Sequence, residues 1–556
     1  MNDQTTSDPA QADTGPATTE ATTLWDFRGV PAWLAAIVGL VAAGSALAAG
    51  ELAASFAAPQ PGPVIAVANR VVDNAPNWFV EFGKSVFGLA DKPALVLGTI
   101  IISLLIGTAV GVLSRSRPTP AVITFAGFGL LGMLAIGVDA QGGWGLAIVA
   151  AIISVVAGLA ALYLLFRATT EPVGAQLGLR PAAGASGRAD TPTNPAVSRR
   201  RFLNWSGLIG VGAIGAGVMS RDIRARSSAA KARAEVELAE AATTEIEAVV
   251  STAAEGPVAS TPGITPLIIP NDEFYLIDTA LTTPQVDPAN WSMTIRGMVD
   301  NEMTYTYDEL LDRAKTIAPV TLSCVSNEVG GDLVGNAVWQ GVPLVELLDE
   351  AGVQPGATQI ASRSVDGWNC GFPTEAAYDG RTALVAVGMN GEPLPLRHGF
   401  PARLVVSGLY GYVSATKWLK EIELTTIEDF NGYWIPRGWS KLGPVKTQSR
   451  IDTPRHTERV TAGTEVPIAG VAWAPDTGIT KVEVQVGDGP WMEATLGESL
   501  GPDAWVQWLV SWTAVAGRHV VQVRATDGTG TTQTEQPTPP APNGASGWHR
   551  IGVEAV

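Results

Sequence analysis

Cys324 closes the β-branched run VTLSC and precedes the turn-rich stretch GGDLVGN, which puts a thiol at the end of a predicted strand. With no other cysteine near it in sequence, such a thiol either meets a ligand or packs in a core, as unpaired cysteines commonly do. Downstream, RHGFPAR carries His398 and Arg403, and SATKW carries Ser414, Ala415, Thr416 and Lys417. Arg403 leads into LVV, a predicted buried strand, so its charge lies near the interior and needs a partner there. The alternatives are solvated surface charges for Arg403 and Lys417 and a hydrogen-bonded structural role for His398. Cys370, in DGWNCGF, has three readings: a second reactive thiol, a disulfide partner for Cys324, or a packed residue. A covalent role for Cys324 with His398 as its base is a further possibility.

Composition removes several classes. A formal net charge of -17 argues against nucleic acid as a partner, and any bound anion requires local clustering of basic residues. Two cysteines make neither a disulfide framework nor a zinc motif.

The elements that must position these residues follow from hydropathy. Apolar residues are 46% of the chain and concentrate before position 220, in stretches at roughly 31–49, 93–113, 120–138, 144–166 and 203–219. Each is near the ~20 residues that cross a bilayer as a helix. The spans hold almost no ionisable residue at their centres, against a transporter or pump; Glu51 falls at a span end and reads as interfacial. Arg115 and Arg117 between the second and third spans, and Arg167, Arg180, Arg188 and Arg199 to Arg201 between the fourth and fifth, orient those loops to the cytoplasm. The N-terminus is then inside, and everything after Ser220 outside. Residues 59–92, with Trp78, Phe79, Phe82 and Phe87, read as amphipathic pieces at the interface or short helices packed on the bundle. Entering the last span, SRRRFLN resembles a twin-arginine export signal, or is an ordinary positive-inside cluster. The expected domains are a disordered tail at 1–24, an α-helical membrane bundle at 25–220, a helical stalk and linker at 221–265, an α+β domain at 266–450 and an all-β sandwich of immunoglobulin type at 451–556.

TLSCVSNEVGG, NGEPLPLRHGFPARLVVSGLYGYVSATKWLKEIEL and GYWIPRGW, in that order, resemble the molybdopterin domain of the sulfite-oxidase family. IAGVAWAPDTGITKVEVQVGDGPW resembles the start of that family's immunoglobulin-like dimerisation domain, so the resemblance covers about 270–556. It implies a molybdenum-molybdopterin cofactor with Cys324 as the thiolate ligand of the metal, a soft donor suited to that centre. It places His398, Arg403 and Lys417 at the cofactor's phosphate tail, with Ser414, Ala415 and Thr416 beside them, and Asn271, Tyr275 and Asp366 as further contacts. The covalent-thiol reading leaves those matches unexplained.

The sequence is one residue longer between Gly411 and Lys417 than several family patterns, and it departs from the family in two further places. Where sulfite-oxidising relatives carry an arginine after the F-F or F-Y pair, this chain has Ile277 and Asp278, and the aspartate is expected to repel a sulfite dianion. Near the relatives' active-site tyrosine it has Cys370, while Arg437 and Lys441 are expected to supply positive charge near the metal. The resemblance implies an enzyme catalysing a two-electron, oxygen-atom-transfer-type reaction on a small molecule, and the apolar spans with their arginine-bearing loops put it at the membrane on the extracytoplasmic face; sulfite dehydrogenation or a non-enzymatic envelope role are the alternatives. No haem is expected: the four histidines, His398, His456, His519 and His549, all follow the last span, and no C-x-x-C-H motif occurs. Electrons must pass to or from a separate carrier or a quinone-linked membrane protein. Membrane lipid and a second copy, through the C-terminal domain, complete the expected partners. If SRRRFLN is read as an export address, replacing Arg199 and Arg200 by lysine keeps the charge yet strands the catalytic half inside. Protease accessibility from the outer face checks this; unchanged cleavage means that the cluster acts through charge alone.

Overall fold

A computed structural model describes residues 25–56, 60–87, 90–170, 195–225, 228–253 and 255–556. The expected tail at 1–24, and Arg180 and Arg188, lie outside the described residues. Among the described residues five helices are long and apolar enough to cross a membrane: Ala32–Ser55, Asp91–Leu113, Thr119–Gly137, Trp144–Thr169 and Phe202–Ser220. The helices are α1 (Ala32–Ser55), α2 (Pro63–Asn74), α3 (Asn77–Phe87), α4 (Asp91–Leu113), α5 (Thr119–Gly137), α6 (Trp144–Thr170) and α7 (Pro195–Ala225). SRRRFLN lies within α7.

The described residues divide into two compact units, drawn from Met1–Ala49, Ile100–Leu130 and Ile152–Gly215, and from Gly50–Thr99, Leu131–Ala151 and Ala216–Val556. In the first, α1 and α4 approach through Gly39, Gly107 and Gly111, where an added Cβ would strike the facing backbone. A G-x-x-x-G spacing on α4 permits that approach. Phe27 stacks on Phe166 with ring centroids 4.9 Å apart, and Trp25 Nε1 donates to the Ser114 carbonyl at 2.7 Å.

The second unit holds two of the inter-span segments, within Gly50–Thr99 and Leu131–Ala151, together with Ala216–Val556. Glu51 accepts the Val64 N–H at 2.8 Å and so caps the start of α2, which buries Val64, Ala66 and Ala68. By contrast α3 exposes Trp78, Phe79, Phe82, Val86 and Phe87. Of the two readings of 59–92, packing describes α2 and an exposed apolar face describes α3. The Ala/Glu/Arg segment expected as a stalk forms α8 (Ser228–Glu235) and α9 (Glu240–Ala253), which lie against the following domain. Arg233 Nε donates to the Leu394 carbonyl at 2.8 Å, and Ile246 is buried.

The region that follows is an α+β domain. One mixed sheet runs β2-β1-β10-β5-β6, from β1 (Ser292–Gly297), β2 (Met303–Thr306), β5 (Gln359–Ser364), β6 (Asn369–Pro373) and β10 (Leu419–Thr425), with β1 and β10 parallel. The other runs β3-β4-β7-β8, from β3 (Thr316–Ser323), β4 (Val334–Pro343), β7 (Ala383–Met389) and β8 (Glu392–Pro393), with β9 (Arg403–Val406) paired to β7. Trp339, Phe372 and Phe400 fill the core, and α10 (Tyr307–Arg313) opens with a reciprocal capping box between Thr306 and Glu309.

The C-terminal region is an immunoglobulin-like sandwich. Its sheets are β11-β13-β17-β16 and β12-β19-β18-β14-β15. The strands are β11 (Gln448–Thr453), β12 (Arg459–Val460), β13 (Glu465–Trp473), β14 (Ile479–Val486), β15 (Met492–Glu493), β16 (Thr495–Leu496), β17 (Val506–Thr513), β18 (Gly517–Asp527) and β19 (His549–Ala555). Alternating Val482, Val484, Val521, Val523, Ile551 and Val553 meet Ile468 and Trp508 inside. A buried polar junction ties this sandwich to the domain before it. Thr321 Oγ1 donates to Asn336 Oδ1 at 2.9 Å and accepts the Trp505 N–H at 2.7 Å, and Trp505 Nε1 donates to the Leu267 carbonyl at 2.7 Å.

His549 Nδ1 accepts the Ile451 N–H at 2.9 Å, and burial, helped by Arg450, lowers its pKa to about 4. The unfolded chain binds that proton near the ordinary value of 6.5, so the stability it confers is whole above pH ~6.5 and is lost as pH falls towards 4. His549→Asn keeps an acceptor near the Nδ1 position but cannot titrate. Tryptophan-fluorescence melts at pH 7.5 and 4.5 are expected to show a smaller acid-induced drop in Tm for this variant than for the natural chain.

Candidate molybdopterin site

The β3–β4 hairpin delivers Cys324. Ser323 pairs with Val334 at the turn end of the hairpin, and the turn itself is held by Cys324 N–H to the Leu333 carbonyl at 2.9 Å and Leu333 N–H to Asn327 Oδ1 at 2.9 Å. The Ser326 N–H points at Cys324 Sγ from 3.4 Å, the kind of donor that a thiolate accepts. Two tyrosines lie within its field. Burial first, and the charge of Cys324 after it, push the Tyr275 phenol far up, and burial pushes Tyr410 to about 12, so both keep their protons at neutral pH.

Arg403 opens β9 and is 5% exposed. Its guanidinium lies 4.9 Å from the Trp339 ring, Nη1 donates to the His398 carbonyl at 3.1 Å and Nε to the Leu404 carbonyl at 3.3 Å. Those acceptors are neutral, and among the described residues no carboxylate forms an ion pair with it. Burial lowers its pKa to about 10, which still leaves it charged. His398 Nε2 is 3.0 Å from the Asn271 carbonyl and donates to it, and burial, with Arg403 beside it, lowers the ring to about 4. It is a neutral imidazole at physiological pH.

Lys417 is buried and donates to Asp278 Oδ2 at 2.6 Å and to the Arg397 carbonyl at 3.1 Å. Asp278 Oδ1 in turn accepts from Lys92 at 2.9 Å. Burial pushes the Asp278 carboxyl up, but the two lysines hold it below the usual carboxylate range. The expected repulsion of sulfite by Asp278 is therefore corrected: the carboxylate is neutralised by two ammonium groups. Asp366, in the β5–β6 turn, accepts the Trp368 N–H at 3.1 Å and is pushed up by burial.

The remaining expected residues are engaged elsewhere. Asn271 Oδ1 accepts from Asn390 at 2.9 Å. Ser414 Oγ bonds back to the Tyr410 carbonyl at 3.1 Å, Ala415 N–H caps the turn at the Gly411 carbonyl at 3.0 Å, and Thr416 Oγ1 meets Ser362 Oγ at 2.7 Å. Neither cysteine is in a disulfide. Cys370 is 1% exposed between Ser362 and Thr416, and burial pushes its thiol to about 11. Arg437 packs 3.7 Å from the Tyr433 ring and reaches the Asp73 carbonyl at 3.4 Å, while Lys441 bonds Asn431 at 3.0 Å. Among the described residues, the hydrogen bonds of these two side chains go to Tyr433, Asp73 and Asn431. Sequence reasoning passed over Lys92, Trp339 and Tyr410. Lys92 has no readable signal, being 186 positions from Asp278.

The oxidoreductase molybdopterin binding domain family matches residues 280–434. Over 170 residues the chain is 32% identical to the oxidoreductase YuiH of Bacillus subtilis (strain 168), covering 31% of this chain and 82% of that protein. The chain belongs to the sulfite-oxidase-type molybdopterin-dependent oxidoreductases. It is 29% identical over 342 residues to mitochondrial sulfite oxidase of Macaca fascicularis, covering 51% of this chain and 61% of the relative. It is also 28% identical over 316 residues to NADH nitrate reductase of Solanum lycopersicum, covering 46% and 35% respectively. The chain thus spans less than two thirds of either of these two relatives. The donor set fits the family's molybdenum cofactor: a thiol at a hairpin turn for a soft metal, and a buried guanidinium with only neutral acceptors for an anionic tail. With the cofactor removed, a maleimide at pH 7.5 is expected to modify Cys324 at least ~10-fold faster than Cys370, whose thiol is deeply buried and protonated. Peptide mass spectrometry reads the two rates; equal rates would place Cys370 at the surface.

Proposed function

We propose that this molybdopterin oxidoreductase is anchored in the cytoplasmic membrane by its five apolar helices, with the catalytic half on the extracytoplasmic side, and that it transfers an oxygen atom and two electrons to or from a small oxo compound. The observation that carries the reading is the buried Arg403 guanidinium, which has no carboxylate partner among the described residues and lies in the same fold as the Cys324 hairpin. The arginines between the spans support the orientation. When bound, the cofactor supplies a metal centre that exchanges an oxo group with substrate.

The chain's own residues have separable parts. Cys324 Sγ is the protein's ligand to the metal. Arg403 and Lys417 hold the anionic tail, and His398, neutral, orients the loop that carries Arg403 through its bond to the Asn271 carbonyl. Tyr275 and Tyr410 stay protonated near Cys324 and are available as donors to a substrate oxygen. The downstream histidines leave no bis-histidine haem for the spans, so electrons leave through a separate carrier or a quinone-linked protein. The sandwich offers a surface for a homodimer.

The substrate we favour is a neutral or weakly charged S-oxide or N-oxide. Ile277 stands where the sequence pattern leads one to expect an anion-binding arginine, and losing one charge-assisted bond of ~2 kcal/mol corresponds to roughly 30-fold in kcat/KM. Sulfite oxidation is the second reading, favoured by the neutralisation of Asp278. Full-length protein purified in detergent is expected to hold about one molybdenum and one pterin per chain. It should reduce an S-oxide with an artificial donor faster than it oxidises sulfite with an artificial acceptor. Cys324→Ser is expected to abolish turnover and the metal–thiolate absorption while leaving Tm unchanged; full activity in that variant overturns the assignment.

A further inference from the structure

Lys92 belongs to neither the matched family region nor the core of the oxidoreductase domain; it is the second residue of the apolar helix α4. Its ammonium nevertheless makes three bonds to one short segment: to Asp278 Oδ1 at 2.9 Å, the Asp278 carbonyl at 2.7 Å and the Ala280 carbonyl at 2.9 Å. Asp278 Oδ2 meanwhile accepts from Lys417 at 2.6 Å. One carboxylate is thus shared by two ammonium groups, and the pairs are largely sheltered, with side-chain exposures of 33% for Lys92, 15% for Asp278 and 9% for Lys417.

Two other inter-span residues reach the same side of this domain. Ala140 lies against Gly367, next to Asp366, and the Asp73 carbonyl accepts from Arg437. Lys92 is therefore one of three contacts that these segments make with the domain, and the only one of the three that supplies a positive charge. The arithmetic of charge gives it a purpose. Asp278 and Lys417 alone would form a closed, neutral pair with little attraction for an anion. A second ammonium on the same carboxylate leaves the trio at +1, with the excess shared by Lys417 at the cofactor-binding loop.

We propose that Lys92 is a positioning residue of the oxidoreductase centre: by sharing Asp278 with Lys417 it keeps one net positive charge at that loop for a phosphate-like oxyanion, the cofactor's tail or an anionic substrate. This rests on the reading of the site as a molybdopterin centre. The apolar helix that carries Lys92 would then complete the site as well as anchor it.

The charged groups facing Lys417 are Asp278, Arg403 and Lys92, with His398 and Asp366 also within its field; burial lowers it to about 8. The test uses the full-length chain in detergent, with two readouts. One is molybdenum and pterin per chain, together with KM for an anionic and for a neutral substrate. The other is the pH midpoint for acetylation of Lys417, read by mass spectrometry, which requires no bound cofactor. Lys92→Met removes a repelling charge and leaves Asp278 wholly to Lys417, so the midpoint should rise by roughly one pH unit. Either cofactor content should fall several-fold, which identifies the tail as the anion, or KM should rise several-fold for the anionic substrate alone, which identifies the substrate. Lys92→Arg should restore the natural values, and Asp278→Asn, which unpairs both lysines, should move the midpoint down. If Lys92→Met does not fold, Lys92→Gln, which keeps a hydrogen-bond donor towards Asp278 but removes the charge, decides in its place, because the proposal requires the same rise of the midpoint from it. An unchanged midpoint together with unchanged content and KM in Lys92→Met, or an arginine that fails to restore them, overturns the proposal. Natural protein that contains no molybdenum or pterin defeats the site reading instead, and the acetylation midpoints then still decide whether Lys92 governs Lys417.

Discussion

A cation buried in a protein interior must be balanced, and in this molecule the balance is deliberately incomplete. Arg403 and Lys417 are both below 9% exposed, yet among the described residues only Lys417 meets a carboxylate, and that carboxylate is shared. Arg403 is left with backbone carbonyls and the face of Trp339. Carbonyl dipoles and an indole face soften the desolvation of a guanidinium without cancelling its charge. Around that residual charge the rest of the oxidoreductase domain makes sense. β4 brings Trp339 beneath it, β7 and β9 fix its backbone, and the β3–β4 turn places Cys324 within the same domain.

Rigidity has to come from elsewhere, because an unbalanced charge does not hold a fold together. The apolar core from Trp339 to Phe400 supplies most of it. The Thr321–Asn336–Leu267–Trp505 junction adds a directional constraint: every polar group in it is paired, so sliding the sandwich against β3 would strand buried donors. Thr321 of the junction lies on β3, which ends one residue before Cys324, so the C-terminal sandwich helps to hold the thiol's position.

Much of this was legible in the sequence, for identifiable reasons. The apolar helices announce themselves by length, and Cys324, His398 and Arg403 by local strings whose neighbours also fold locally. What was not legible depends on partners remote in the chain. Asp278 read alone is a repulsive charge; only the fold reveals that Lys417 and Lys92 cancel it. Ser414 and Thr416 were expected beside the cofactor from the resemblance alone, and nothing in the string says that their hydroxyls bond to the Tyr410 carbonyl and to Ser362 in the fold. Arg437 and Lys441 follow a tryptophan-rich string, and nothing in the string says that Tyr433 and Asn431 occupy them. Residues 228–253 read as a stalk because alanine and glutamate favour helix in any setting, and the sparse apolar residues that dock them, such as Leu238 and Ile246, are too few to show as a periodic stripe.

The unbalanced Arg403 also bears on the order of events in the life of the chain. A fold that keeps a charge in reserve for a ligand is less stable empty than filled, and by mass action whatever binds only the folded form shifts the population towards it. Loading and maturation become one event, and an unloaded chain is the one most open to proteolysis. Assembly would then best be finished in the compartment where the cofactor is made, before any crossing of a membrane. A transport route that accepts only folded passengers would suit such a protein better than one that threads an extended chain.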